Sequence, residues 1–376
     1  MISLRFLTKR IVACVARILS VIPCRYIVFE SLPDYADNTR AVFDEMVRRN
    51  LNKKYKFVWL CKKSTTTVPV EGVKCAYGQF YHIFYSIRAK ILISCNSFLT
   101  SYGNYQKSLY LCHGVPLKSL GGYKAPEGID YIIGLSEDTN QIQSKELGIE
   151  LNKFRTLGYP RNDALSHKSH NYTSRLFCDR FEKYIVWYPT FRQHGSSKIA
   201  SATSHALPII YNTDVAKKIN EFAEKNKVLI ILKPHFSQDT SYIQKLNLSN
   251  IVLINDQFFI DNNISSYEFV GGCDALITDY SSIYFDYLLL DKPVAAIWED
   301  IDEYRRNRGF AIDVDYYMSG AYKIYDSSDF LAFLKEIVTG IDSMKDSRHN
   351  IINLIHYNKD FDSTKRVVDF VENVLL

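Results

Sequence analysis

Ala275-Leu-Ile-Thr-Asp279-Tyr-Ser281-Ser282-Ile-Tyr-Phe-Asp286 is a short apolar run that stops at an acid and two serines and then resumes with helical spacing. The first four residues suit a buried strand. Asp and Ser favour the position where a helix begins, and Ser282 and Asp286, four residues apart, share one helix face. A strand that turns directly into a helix is half of a βαβ unit.

The same alternation extends outward in both directions. Toward the C-terminus it predicts a strand at 294–297 and closing helices at 329–338 and 364–374. Toward the N-terminus it predicts strands at 251–253, 228–232 and 184–188, with a helix at 214–225. A polar stretch, 166–174, interrupts the pattern. Before it lie predicted strands at 26–29, 57–60, 91–94, 109–112 and 131–134, and helices at 38–50, 81–89 and 137–147. Short strands separated by helices build parallel sheets, and two such halves are expected to form two Rossmann-like domains facing a cleft, the glycosyltransferase-B arrangement. The expected division is a segment at 1–24, an N-terminal domain at 25–172 and a C-terminal domain at 173–376.

At 376 residues, 47% hydrophobic and 23% charged, the chain can bury a core in each half. Its eight cysteines form no CxxC pair and no metal-ligand spacing, so reduced thiols are expected. The net charge of +5 is located entirely in residues 1–25, which contain Arg5, Lys9, Arg10, Arg17 and Arg25 and no acid. The neutral remainder argues against a nucleic-acid partner. The longest clean apolar run in that segment, 11–16, is far short of the roughly 20 residues that span a bilayer. A basic amphipathic helix lying on an anionic membrane surface is expected there, with an ordinary docked first helix as the alternative.

In open parallel sheets ligands bind beyond the carboxyl ends of the strands, so residues that follow strands are the candidates for chemistry. One predicted strand runs into His113-Gly114-Val-Pro116-Leu-Lys118. Imidazole at a sheet mouth suits a general base, and Gly114 permits close approach of a ligand to the backbone. Another runs into Lys233-Pro-His235, whose cationic donors suit a phosphate. A third runs into Asp279-Tyr-Ser281-Ser282, where free N–H groups at a helix start suit an anion. Gly158-Tyr-Pro-Arg161-Asn-Asp163 and Pro189-Thr190-Phe-Arg192 flank the polar joint, and Arg308-Gly309 comes later. Each feature also has a structural reading, as a satisfied histidine, a cap or an interface arginine. Jointly, two histidines, two arginines and a serine cap at strand ends or beside the joint favour an anion-handling site. The sequence contains no GxGxxG fingerprint, P-loop, HExxH or GxSxG motif.

Taken in order, these motifs, together with Glu30-Ser-Leu-Pro-Asp34-Tyr-Ala-Asp37-Asn38 and Phe285-Asp286, resemble those of the CDP-glycerol glycerophosphotransferases, the teichoic-acid primases and polymerases. The resemblance runs over roughly residues 28–312. It implies the glycosyltransferase-B fold, a peripheral position on the cytoplasmic face of the membrane, and transfer of a phosphopolyol from a CDP-activated donor to a lipid-linked or polymeric glycan acceptor, with release of CMP. His113 would then be the catalytic base, with His235 as a second catalytic group. Lys233, His235, Ser281 and Ser282 would hold the pyrophosphate, and Gly114, Pro116, Arg161, Pro189, Thr190 and Asp286 would complete the donor site. Lys118, Arg192, Asp279 and Arg308 are further candidate anion contacts. No cofactor and no metal are expected. Three departures from the family pattern are Cys112 in place of a tryptophan, Val115 in place of a threonine and Phe236 in place of a proline. A sugar transferase of the same fold is the rival reading, and a non-catalytic membrane-associated binding protein is a more distant one.

Overall fold

The computed structural model describes residues 26–166, 172–177, 180–190, 207–235, 238 and 240–376. The basic segment 1–24 and Arg192 lie outside the described residues.

Two parallel sheets carry the fold. The first consists of β1 (Tyr26–Glu30), β2 (Lys56–Cys61), β3 (Lys74–Tyr77), β4 (Ala89–Ser94), β5 (Lys107–Tyr110), β6 (Tyr131–Gly134) and β7 (Phe154–Thr156). Their spatial order is β3-β2-β1-β4-β5-β6-β7. The second consists of β8 (Lys183–Trp187), β9 (Val228–Leu232), β10 (Ile251–Leu253), β11 (Ala275–Thr278), β12 (Val294–Ile297) and β13 (Tyr322–Ile324), in the order β10-β9-β8-β11-β12-β13.

Each sheet has a central strand from which the chain first winds one way and then returns on the other side. In the first, β1 lies between β2 and β4, with Val28 opposite both Val58 and Leu92. In the second, β8 lies between β9 and β11, with Ile185 opposite both Ile230 and Ala275. The central strands are apolar along their length because helices cover both faces. Every residue of Val228-Leu-Ile-Ile-Leu232 is buried, and Ile185, Trp187, Ile230, Leu232, Ile277 and Ile297 share one core. In the first sheet, Phe29 and Trp59 stack at 5.7 Å with Phe43 against both.

The strands missing from the sequence reading are β3, β7 and β13. They lie at sheet edges, where one side has no neighbour, and their mixed compositions (Lys-Cys-Ala-Tyr, Phe-Arg-Thr, Tyr-Lys-Ile) carry no clean apolar run. The expected strand at 109–112 ends at Tyr110, and Cys112 turns into the left-handed region with φ 60°. The helical spacing that resumes after the two serines is Ile283–Tyr287 followed by a tighter turn, Leu288–Leu290.

The chain also divides differently from the expected two halves. One compact unit comprises residues up to His113, Tyr123–Asp163 and Asp360–Leu376; the other comprises Gly114–Gly122 and Ala164–Lys359. The closing helix Ser363–Phe370 therefore belongs with the first sheet. Asp163 accepts its Ser363 and Thr364 N–H groups at 2.9 and 2.7 Å, and Arg49 holds Asp369 and Glu372 at 2.6 Å each. Helical periodicity in 364–374 shows an amphipathic helix but not which sheet it covers.

In the second unit, buried His356 follows the helix Lys345–Ile355 and donates from Nε2 to the Phe285 carbonyl at 2.7 Å. Burial pushes this imidazole down to about 4, against the opposing effects of the Phe285 carbonyl and Asp286. The unfolded chain takes up the proton first as pH falls, so the stability associated with neutral His356 is complete above about 6.5 and lost on the way to about 4. Equilibrium unfolding of wild type should therefore lose up to about 3 kcal/mol more than His356→Gln over that window; parallel pH profiles would show that this histidine is not buried as described.

Candidate functional site

In the first unit, the site begins where β1 ends. The chain leaves Glu30 and reaches Asp37, a residue with φ 60°, at the start of the helix Asp37–Arg48. The Asp37 side chain is 10% exposed and meets two partners: His113 Nδ1 at 2.6 Å on Oδ2 and an Arg161 guanidinium nitrogen at 2.9 Å on Oδ1. Burial alone raises this carboxyl, but the Arg161 charge and the His113 bond outweigh it and hold Asp37 well below the usual carboxylate range.

An ionised carboxylate only accepts hydrogen bonds, so His113 must carry its proton on Nδ1, leaving Nε2 bare when the ring is neutral. The His113 side chain is 59% exposed, whereas its backbone is held from behind. Arg161 donates to the His113 carbonyl at 3.2 Å. Asn38 donates to the Cys112 carbonyl at 2.9 Å and accepts the Arg161 N–H at 2.9 Å. The left-handed turn at Cys112 and Gly114 at φ 131° lift the intervening histidine off the end of the sheet. Arg161 arrives after β7 through Gly158, at φ 84°, where an added Cβ would meet the Ser363 hydroxyl at 2.2 Å. Asp37 and Asn38 are not among the candidates that the sequence singles out for the site. They sit in the quoted 30–38 motif, but nothing local indicates that Asp37 would meet a histidine 76 positions later.

In the second unit, the sequence candidates collect at the carboxyl ends of β8, β9 and β11. Lys233 follows β9 and pairs with Asp256 at 2.8 Å, its ammonium lying 5.6 Å from the Tyr188 ring centre. His235 is exposed, and burial of part of its ring, Lys233 and Lys118 together push it below its ordinary value, with Asp256 opposing. Lys118 reaches this unit because 114–122 crosses over, pairing Lys118 with Phe310 in an antiparallel bridge. Its ammonium lies 6.0 Å from the Tyr304 ring centre. Gly114 and Pro116 lie on the same crossing segment.

Ser281 and Ser282 are half-buried at the start of Ile283–Tyr287, and Ser282 makes no side-chain capping bond. The cap reading of this turn is thus incomplete: Asp279, fully buried, reaches across to the end of β8 and accepts the Thr190 N–H at 3.0 and 2.9 Å. That bond fixes Pro189 and Thr190 beside the serine turn, since β8 and β11 are neighbours. Two expectations are corrected here. Asp279 is an acceptor tied to backbone rather than an anion contact. Asp286 is buried, its Oδ2 taking the Tyr267 hydroxyl at 2.6 Å, and so faces the packing instead of joining the serines. Arg308 is half-buried, and its backbone N–H bonds the Tyr304 carbonyl at 2.9 Å.

Each unit thus places polar groups at the topological switch point of a doubly wound sheet, where nucleotides and similar ligands bind. Two doubly wound parallel sheets in one chain make a glycosyltransferase-B-like fold. The solved wall teichoic acid polymerase TagF has this fold, with a TM-score of 0.72 at 20% identity over 99% of this chain and 95% of that one. The family model described as CDP-glycerol:poly(glycerophosphate) glycerophosphotransferase matches residues 13–373, and the chain belongs to that family of enzymes. It is similar to the teichoic acid poly(glycerol phosphate) polymerase of Bacillus spizizenii, at 24% identity over 83% of this chain and 84% of that protein. It is also 24% identical, over 90% of its length, to the poly(ribitol-phosphate) polymerase of the same species, spanning about half (54%) of that longer chain.

Replacing Asp37 by Asn keeps the shape, but with the amide oxygen held by Arg161 the amide nitrogen, a donor, faces His113 Nδ1 and no longer favours a proton there. Turnover should fall roughly a hundredfold or more while the KM for donor changes little. A rise in KM with unchanged kcat would assign Asp37 to binding instead.

Proposed function

We propose that this enzyme transfers glycerol phosphate from CDP-glycerol to a hydroxyl of a teichoic-acid-type polymer or its lipid-linked precursor, releasing CMP. His113 Nε2 takes the proton from the acceptor hydroxyl, whose oxygen attacks the glycerol-bearing phosphorus. The phosphoanhydride bond breaks, and CMP leaves with the electron pair. Asp37 is a positioning residue: it holds the Nδ1 proton in place and offsets the imidazolium that forms. Arg161 holds both Asp37 and the His113 backbone. Lys233, His235, Ser281, Ser282 and Thr190 provide cationic and hydroxyl contacts for the donor's pyrophosphate, with Lys118 nearby.

What carries the reading is the Asp37–His113 contact in a member of the glycerophosphotransferase family. A histidine held at one nitrogen by a buried carboxylate, with the other side exposed, has the geometry of a general base. The donor contacts are supported by their common position at the carboxyl ends of adjacent strands. Relatives act on glycerol phosphate and ribitol phosphate. Glycerol is the polyol proposed here, on the description of the matching family. Peripheral attachment to the cytoplasmic face of the membrane is supported by the basic, apolar sequence of 1–24. No helix among the described residues is long and apolar enough to cross a bilayer.

The test is CMP release from CDP-glycerol by purified protein, with a glycolipid acceptor and EDTA present. Wild type should release CMP, and His113→Ala should be slower by about a hundred- to ten-thousandfold. A nucleoside diphosphate released from a nucleotide sugar, with CDP-glycerol left intact, would replace this reading with sugar transfer. Activity abolished by EDTA and restored by magnesium would overturn the metal-free part.

A further inference from the structure

The helix Gln79–Arg88 and the strand before it present an unusual surface to solvent. Tyr77 is 53% exposed, Phe80 74%, Tyr81 49%, Ile83 37% and Phe84 41%. Only Tyr85 and Ile87 of that helix are buried. Isolated exposed apolar residues are ordinary, but five large ones within eight positions form a patch of the kind that marks an interaction surface.

The charge of the segment that carries it bears on the partner, although Asp34 lies at the Lys62 and Lys63 N–H groups. Residues 51–90 contain Lys53, Lys54, Lys56, Lys62, Lys63, Lys74, Arg88 and Lys90 against a single acid, Glu71. Lys74 lies 6.0 Å from the Tyr81 ring centre and 5.3 Å from that of Tyr85, so a cation stands directly beside the aromatic face. The described chain begins at Tyr26, whose ring is 5.3 Å from Tyr85. The preceding 25 residues carry five more basic residues and no acid.

From these observations we infer that the helix Gln79–Arg88, with Tyr77, is a second membrane-contact element, seated in the headgroup region of an anionic bilayer. Phe80, Ile83 and Phe84 enter the acyl boundary. Tyr77 and Tyr81 lie at headgroup level, where amphipathic rings settle, and the surrounding lysines meet anionic phosphates. A protein partner for so basic a rim would need a matching acidic face; an anionic leaflet supplies that charge over any area. The inference extends the membrane location proposed above but does not require the transfer reaction.

The experiment is co-sedimentation of the full chain with vesicles of two parts phosphatidylcholine to one part phosphatidylglycerol, alongside pure phosphatidylcholine vesicles. Wild type should partition to the anionic vesicles. Phe80→Ser/Phe84→Ser should weaken that partitioning at least about tenfold, and Lys62→Gln/Lys63→Gln/Lys74→Gln should do so most at low salt. Tyr316→Ser/Tyr357→Ser, exposed in the other unit, should match wild type. Both altered residues of the apolar variant are exposed, so its thermal midpoint and its CMP release with a water-soluble acceptor should be retained, which separates failure of this inference from failure of the transfer reading. Undiminished partitioning of Phe80→Ser/Phe84→Ser would overturn the proposal. So would a wild-type dimer that this variant makes monomeric, since the patch would then be the seat of a second copy.

Discussion

One buried carboxylate organises the first unit's site. Asp37 lies almost out of water, where an uncompensated charge is costly, and it remains ionised because a guanidinium and an imidazole face its two oxygens. That arrangement decides which histidine nitrogen holds the proton, which way the ring points, and how the end of β5 must turn to deliver it. The left-handed backbone at Cys112 and at Asp37 itself is kept in place by the same contacts. Removing any one of the three side chains leaves the other two facing an unmet charge or donor, so the trio acts as a unit.

The second unit repeats the principle with a different polar tie. Asp279 accepts the Thr190 backbone N–H, which ties the ends of β8 and β11 together beside the half-buried serines and the Lys233–His235 strand end. Both sheets therefore use a buried acid at the switch point as scaffolding, with cations and hydroxyls beside it. For a reaction in which charge moves between phosphoryl oxygens, positioning and fixed electrostatics are the main resources a protein can offer.

Much of this was legible in the sequence for a simple reason. The central strands are continuous apolar runs, and each ends in residues a core would not accept, so His113, Lys233, His235 and the 281–282 serines declare themselves. The acids were harder to read. Asp279 and Asp286 sit beside those serines in sequence, yet their side chains point into the fold, and only three-dimensional contacts with Thr190 and Tyr267 reveal it. Asp37 was visible within a motif but had no readable role, because its partners lie 76 and 124 positions away. The edge strands and the return of 360–376 to the first unit were hidden for a related reason: short, mixed-composition segments are defined by what they pack against, not by their own pattern.

The most direct measurement of the central claim is the tautomer of His113, read by nitrogen NMR of histidine-labelled protein with His113→Gln used for assignment. At a pH where the ring is neutral, the account predicts a proton on Nδ1 and a bare Nε2 in wild type, and loss of that preference in Asp37→Asn. A neutral ring protonated on Nε2 in wild type would contradict the account, because the nitrogen assigned to accept the substrate proton would already be occupied.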